Sequence, residues 1–152
     1  MNMQYRITDA KRRLFYAQLD VLRNDQLTSL ERQALEASQH YHLTTWYRAF
    51  IDEVGSHYGL QVGAERFSQL CQQLSQLEFD CPQAELLNEL ELQPHSWLAQ
   101  ALYLEGAASI DEFAGHVQLI GSSKKRDIDI IYECAVEFEK HVAAFRELMQ
   151  EW

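Results

Sequence analysis

The sequence predicts an all-α fold, a bundle of about five or six helices forming one domain over residues 1–152. Three observations predict it. Apolar residues recur at three- and four-residue steps along most of the chain, the spacing of one helix face. The six glycines and two prolines fall at the seams between these runs. No stretch alternates apolar and polar residues between turn signals, as a half-buried strand does.

The first helix is expected to begin near Thr8 or Asp9, either of which can serve as an N-cap. It would bury Ile7, Ala10, Leu14, Ala17 and Val21, with Phe15 and Leu22 widening the face, and end at Asn24-Asp25. The second opens on "TSLE", where Thr28 and Glu31 can form a capping box. Its stripe is Leu30, Ala34, Ala37, Tyr41, Thr44, Tyr47, Ile51, Val54 and Tyr58, close to heptad spacing, with Gly59 placed to terminate it. A helix over about 29–58 would be roughly 45 Å long and would be the spine of the fold.

A shorter helix follows Gly63, with Phe67, Leu70, Cys71, Leu74 and Leu77 on one side. Pro82 suits the first position of a leucine-rich helix, and Pro94 suggests the same device for "PHSWLAQALYLEG", which stops at Gly106. Residues 107–123 read as a turn of helix and a loop. The last helix, about 127–151, carries the cleanest stripe: Ile128, Ile131, Ala135, Phe138, Val142, Phe145, Met149 and Trp152.

Net charge is −10 and unevenly placed. Residues 1–24 carry five bases and two acids, residues 25–121 three and fourteen, residues 122–152 five and seven. An acidic middle argues against nucleic acid as a partner, because phosphate neutralisation supplies most of that affinity. The N-terminus lacks the apolar core of a secretory signal, and no apolar run approaches the roughly 20 residues that span a bilayer. Cys71, Cys81 and Cys134 are odd in number and lack C-x-x-C spacing, which fits free thiols in the cytoplasm.

"HYHLTTWYRAFIDEVGSHYG", residues 40–59, concentrates histidines and aromatics. On a helix His40 and His42 point about 200° apart, so they cannot share one ion. Leu43, Trp46, Tyr47, Phe50, Val54 and Tyr58 gather on one broad face and read as core. Four of the six histidines follow a glutamate by four residues: Glu36/His40, Glu53/His57, Glu112/His116 and Glu137/His141. Such a spacing is a favourable helix-surface pair. The chemical alternative is that Glu53, His57, Glu137 and His141 converge and hold a divalent metal. The Glu-x-x-His of di-iron bundles, H-E-x-x-H and clustered Cys/His ligands are all absent from the sequence.

No phosphate-binding glycine loop and no G-x-S-x-G is present. Cys71 and Cys134 lie on apolar faces, where a thiol is inert, and Cys81 sits at a helix start beside Glu78 and Asp80. The basic runs "AKRRL" and "KKRD" read as a solvated face and as residues preceding a helix that starts at Asp127.

"AKRRLFYAQLDVL", "PHSWLAQAL" and "FRELMQEW" resemble an uncharacterised bacterial family of small helical proteins known as a domain of unknown function. The resemblance implies an all-helical fold and supplies no catalytic residues. The abundance of apolar seam relative to catalytic polar groups makes protein–protein contact without catalysis or cofactor, in a homodimer or with another protein, the expected function. Trp152 would be an anchor if exposed, and part of the chain's own core if not. The alternative is a metal- or small-ligand-binding bundle, an enzyme in one version, built on the four Glu/His residues.

Overall fold

A computed structural model describes residues 3–24, 26–61, 63–104 and 126–150. Among them are six helices: α1 (Met3–Leu22), α2 (Ser29–His57), α3 (Phe67–Gln76), α4 (Pro82–Leu92), α5 (Trp97–Leu102) and α6 (Asp127–Gln150). The described residues contain no strand. The expected stretch at 107–123 and Trp152 lie outside the described residues, while the helix expected to stop at Gly106 ends earlier, at Leu102 with Tyr103 as its C-cap.

α2 is where the other helices meet. From Leu43 to Gly55 its buried residues cover roughly two thirds of the helix circumference, and exposed Arg48 marks the open side. Trp46 packs on Phe15 of α1 and Phe138 of α6, with ring centroids 5.7 and 4.7 Å away. Tyr47 meets Phe67 of α3 and Phe138, while Phe50 meets Phe67, Phe138 and Phe145. Most of these contacts are edge-to-face or tilted, the arrangement the ring quadrupoles favour. The central aromatic run is core, as its spacing predicts.

Local signals fix the ends of α2. Thr28 and Glu31 form the reciprocal capping box. At the other end Gly59 adopts φ 76°, its N–H bonds Ser56 O, and Leu60 N–H reaches back to Gly55 O at 2.9 Å. That is a Schellman motif, closed by the one residue type with no Cβ to oppose it. The loop before α2 is held by Arg32, whose guanidinium donates to Leu22 O at the end of α1 and to Asn24 O just beyond it. α1 and α2 are therefore antiparallel.

Three expectations need correction. α1 starts at least five residues before Thr8, which is a fully buried mid-helix residue. The Thr8 hydroxyl lies 2.9 Å from Gln4 O and 3.2 Å from Ala49 O, so it is satisfied between α1 and α2 instead of capping. Second, α1 buries Thr8, Phe15, Leu19 and Leu22, whereas Ile7, Ala10, Leu14, Ala17 and Val21 face outwards. Two apolar stripes compete on this helix, and the one with the larger residues faces in. Third, Leu30, Ala34, Ala37 and Tyr41 on the first half of α2 are exposed, because this half turns the side of Arg32, Leu35, Glu36 and Gln39 towards the bundle. A smaller revision concerns α5: its N-cap is Ser96, which accepts from Ala99 N–H at 2.9 Å, and Pro94 lies in the preceding turn.

α6 follows its predicted stripe. Ile131, Ala135, Phe138, Val142 and Phe145 are buried and Ile128 and Met149 are half-buried. It starts at Asp127, with Asp127 and Asp129 in the first turn, where acids suit the macrodipole.

α3 ends in a second Schellman motif, with Phe79 N–H on Leu74 O and Glu78 N–H on Ser75 O. Here a glutamate occupies the left-handed position, at φ 58°. A non-glycine residue there costs about 1–2 kcal/mol, part of which glycine returns as chain entropy. Glu78→Gly is expected to stabilise the protein by about 1 kcal/mol, raising Tm by about 2–4 °C. Thermal unfolding followed by circular dichroism checks this, and a lowered Tm would contradict the assignment.

Candidate functional site

The strongest polar cluster centres on Arg146 in the last turns of α6. Its Nε and Nη2 donate to the two carboxylate oxygens of Glu53, both at 2.9 Å, and Nη1 donates to Asp9 at 3.0 Å. The Tyr5 ring lies over the guanidinium, 3.7 Å from Cζ to the ring centroid. The planar fork of arginine matches a carboxylate with two parallel bonds. One side chain thus ties α1, α2 and α6. Burial lowers the Arg146 pKa, but Glu53 and Asp9 outweigh it and hold the group above its ordinary value.

A groove of about 400 Å³ runs beside this cluster, lined by Tyr5, Glu53, His57, Phe145, Arg146 and Met149. Its charged groups already bind each other, so the groove offers a ligand mostly apolar contact. Across the bundle, the buried carboxylate of Glu91 accepts a hydrogen bond from the Tyr47 hydroxyl and another from Phe67 N–H at 2.8 Å. It caps the start of α3 from α4 and fixes both against α2. Burial, then the Glu91 charge, pushes the Tyr47 hydroxyl pKa well above its ordinary value, so Tyr47 stays a donor.

The four residues proposed to share a metal do not meet. Glu53 is bound by Arg146, and His57 lies edge-on to Phe145 at 6.1 Å. Glu137 pairs with Lys140 at 3.1 Å, and His141 stacks on Trp97 with centroids 5.5 Å apart. Among the described residues, no three of His, Cys, Asp and Glu stand close enough to hold an ion. Convergence of Glu53, His57, Glu137 and His141, the chemical alternative, is therefore not what the structure shows: each faces another neighbour, a guanidinium, an ammonium or a ring. His40 of the Glu36 pair has its Nε2 3.4 Å from Leu102 O, and the Glu112/His116 pair lies outside the described residues.

Burial raises the Cys71 thiol pKa to about 11 and that of Cys134 to about 12, which keeps both protonated. Cys81 is buried at the N-cap of α4, with no cap bond from its side chain. All three thiols are free. Of the basic runs, Arg12 is bound to Glu139 of α6 and Arg126 lies 3.3 Å from Asp129, while Lys124 and Lys125 lie outside the described residues.

Sequence reasoning missed Asp9, Arg146 and Tyr47 with Glu91. Only Glu91 carries a signal, since it falls four residues after buried Leu87 on a leucine-rich helix. The Arg146 partners are 93 and 137 residues away along the chain.

Fold and sites together define an α-helical bundle whose strongest polar groups are engaged in joining its own helices. The chain belongs to a family of unknown function, DUF6586, whose profile matches residues 3–152. Comparison with curated proteins and with solved structures gave no match. No helix among the described residues is long and apolar enough to cross a membrane.

Two predictions follow from the site. Arg146→Leu leaves the Glu53 carboxylate buried without its partner and is expected to destabilise the fold by about 3–5 kcal/mol in urea unfolding. Adding Glu53→Leu should recover most of that loss; equal stability of the single and double variants would contradict the ion-pair account. The second concerns pH. Burial, partly opposed by Glu137, holds the His141 pKa below its ordinary value, and burial followed by Lys11 does the same for His42. The unfolded chain takes up these protons near pH 6.5, before the native state does. The contribution is thus complete above that pH and is lost as pH falls through the folded values. Urea unfolding should show stability falling below about pH 6.5, with a shallower fall in His141→Gln.

Proposed function

We propose that the protein works through protein–protein contact, without catalysis, and that its outer helical faces are the contact surface. The observation that carries this reading is the exposure of apolar residues in heptad-like rows on two helices. Met3, Ile7, Leu14 and Val21 of α1 and Leu30 and Tyr41 of α2 are all exposed. Large apolar residues at that spacing on a surface suit the face of another helix.

The chemistry supports the same reading. The Arg146 and Tyr47–Glu91 clusters are each satisfied internally, and the Cys71 and Cys134 thiols are held protonated. Three free thiols suit a reducing compartment, and the proposed location is the cytoplasm. The acidic body favours a protein partner over nucleic acid.

The test is in-cell photo-crosslinking with a benzophenone amino acid placed at Leu14 or at Tyr41. A discrete adduct at either site, absent with the probe at exposed Gln72 of α3 and lost on adding Ile7→Glu for the Leu14 probe, is the expected result. No adduct at either site would contradict the proposal.

A further inference from the structure

α1 carries two apolar seams about 130° apart around its axis. The inner one, Thr8, Phe15, Leu19 and Leu22, packs in the bundle. The outer one is Met3, Ile7, Ala10, Leu14, Ala17 and Val21, stepping by four, three, four, three and four. Every residue of this outer row is exposed, with Met3 at 69%, Ile7 at 38%, Leu14 at 43% and Val21 at 46%. An unbroken 3.5-residue repeat is the pattern of a seam between two supercoiled helices. Nothing within the described chain covers it.

We infer that the outer seam of α1 pairs with the same seam of a second copy, antiparallel about a two-fold axis near residue 12. This deepens the protein-contact reading above and rests on it. Two features choose the partner and its direction. The first is size. The row alternates large and small residues: Ile7, Leu14 and Val21 are separated by Ala10 and Ala17. In a parallel pair each residue meets its own copy, stacking Leu14 on Leu14 and Ala10 on Ala10. Crowded and empty layers would then alternate. In the antiparallel pair Leu14 meets Ala10 of the second copy, Ile7 meets Ala17 and Val21 meets Met3. A large residue lies opposite a smaller one in the central layers, so the helices approach evenly. The same pairing read from either chain is identical, as a two-fold contact requires.

The second feature is charge. The residues flanking the seam on one side are Arg6, Arg13 and Asp20. The antiparallel register sets Arg6 beside Asp20 of the second copy, twice, across the axis. A parallel register would set Arg6 beside Lys11 of the second copy, twice, with no acid to offset it. Asp20 is available for this role: its own contact is Arg23 at 3.7 Å, with both side chains more than half exposed. The antiparallel pair does bring Lys11 near Lys11 and Arg13 near Arg13 at the axis. Added salt screens these contacts and the Arg6–Asp20 contacts alike, so association should depend only weakly on salt.

The test uses the full chain. One helix per subunit makes a small interface of the transient class, so sedimentation equilibrium is carried to about 500 µM. A monomer–dimer equilibrium is expected, weakened at least about tenfold by Leu14→Glu, which sets a carboxylate in the apolar seam. Leu14 is exposed in the monomer, so this variant should keep the helical circular dichroism of the wild type. Direction is read by mixing a chain carrying Ala10→Cys with a longer tagged chain carrying Leu14→Cys under mild oxidation. The mixed disulfide should exceed both self-disulfides, with the unsubstituted chain as control for Cys71, Cys81 and Cys134.

A wild-type chain that stays monomeric throughout overturns the inference, as does a dimer that Leu14→Glu leaves intact. Dominant self-disulfides overturn the antiparallel register. Each of these outcomes leaves the broader contact reading to photo-crosslinking, where an adduct with a different protein would preserve it.

Discussion

Between Leu43 and Gly55, α2 is buried around most of its circumference, with the side of Arg48 left open, and so wide a buried face determines much of what its neighbours must do. Trp46, Tyr47 and Phe50 all pack on Phe138 of α6, and each finds a further wall in Phe15 of α1, Phe67 of α3 or Phe145 of α6. A polar group on that buried face cannot reach water, so its partner must come from another element. Glu53 is met by Arg146 of α6, and the Tyr47 hydroxyl by Glu91 of α4. These two bonds fix how α4 and α6 lie on the aromatic core. Dispersion and burial alone would tolerate several rotations of each helix.

The first half of α2 and the outer side of α1 form the other part of the molecule. Arg32 fastens α2 to the end of α1, and the apolar rows on these stretches stay outside. The bundle is thus asymmetric, closed around the second half of α2 and open along α1. Its stability and its surface apolarity come from different parts of the same two helices.

Signals local in sequence were legible. Thr28 and Glu31, Gly59, Pro82 and the α6 stripe each depend on residues within a turn or two, and the structure places them as expected. The face of α1 was not legible, because Ile7–Leu14–Val21 and Thr8–Phe15–Leu22 are both heptad rows one residue apart. Only the volume of Phe15 and the tertiary role of Thr8 decide between them. Thr8 misled for a physical reason: its hydroxyl can cap a helix or return to a carbonyl within one, and its sequence neighbours suit either. The polar ties were invisible because regularly spaced charges on a helix look alike until packing selects one. Glu137 and Glu53 share the same Glu/His spacing, yet one lies near the surface with Lys140 and the other is buried on Arg146. Trp152 and residues 105–125 lie outside the described residues, so the readings placed there have no structural counterpart.

Amide hydrogen exchange at residue resolution tests most directly whether the second half of α2 is the centre of the fold. Amides from Trp46 to Val54 should exchange only through global unfolding, with the same free energy as those of Ile131–Phe138 in α6. Amides from Arg32 to Ser38 should open at distinctly lower free energy. Uniform protection along the whole of α2, or early exchange around Phe50, would contradict the account.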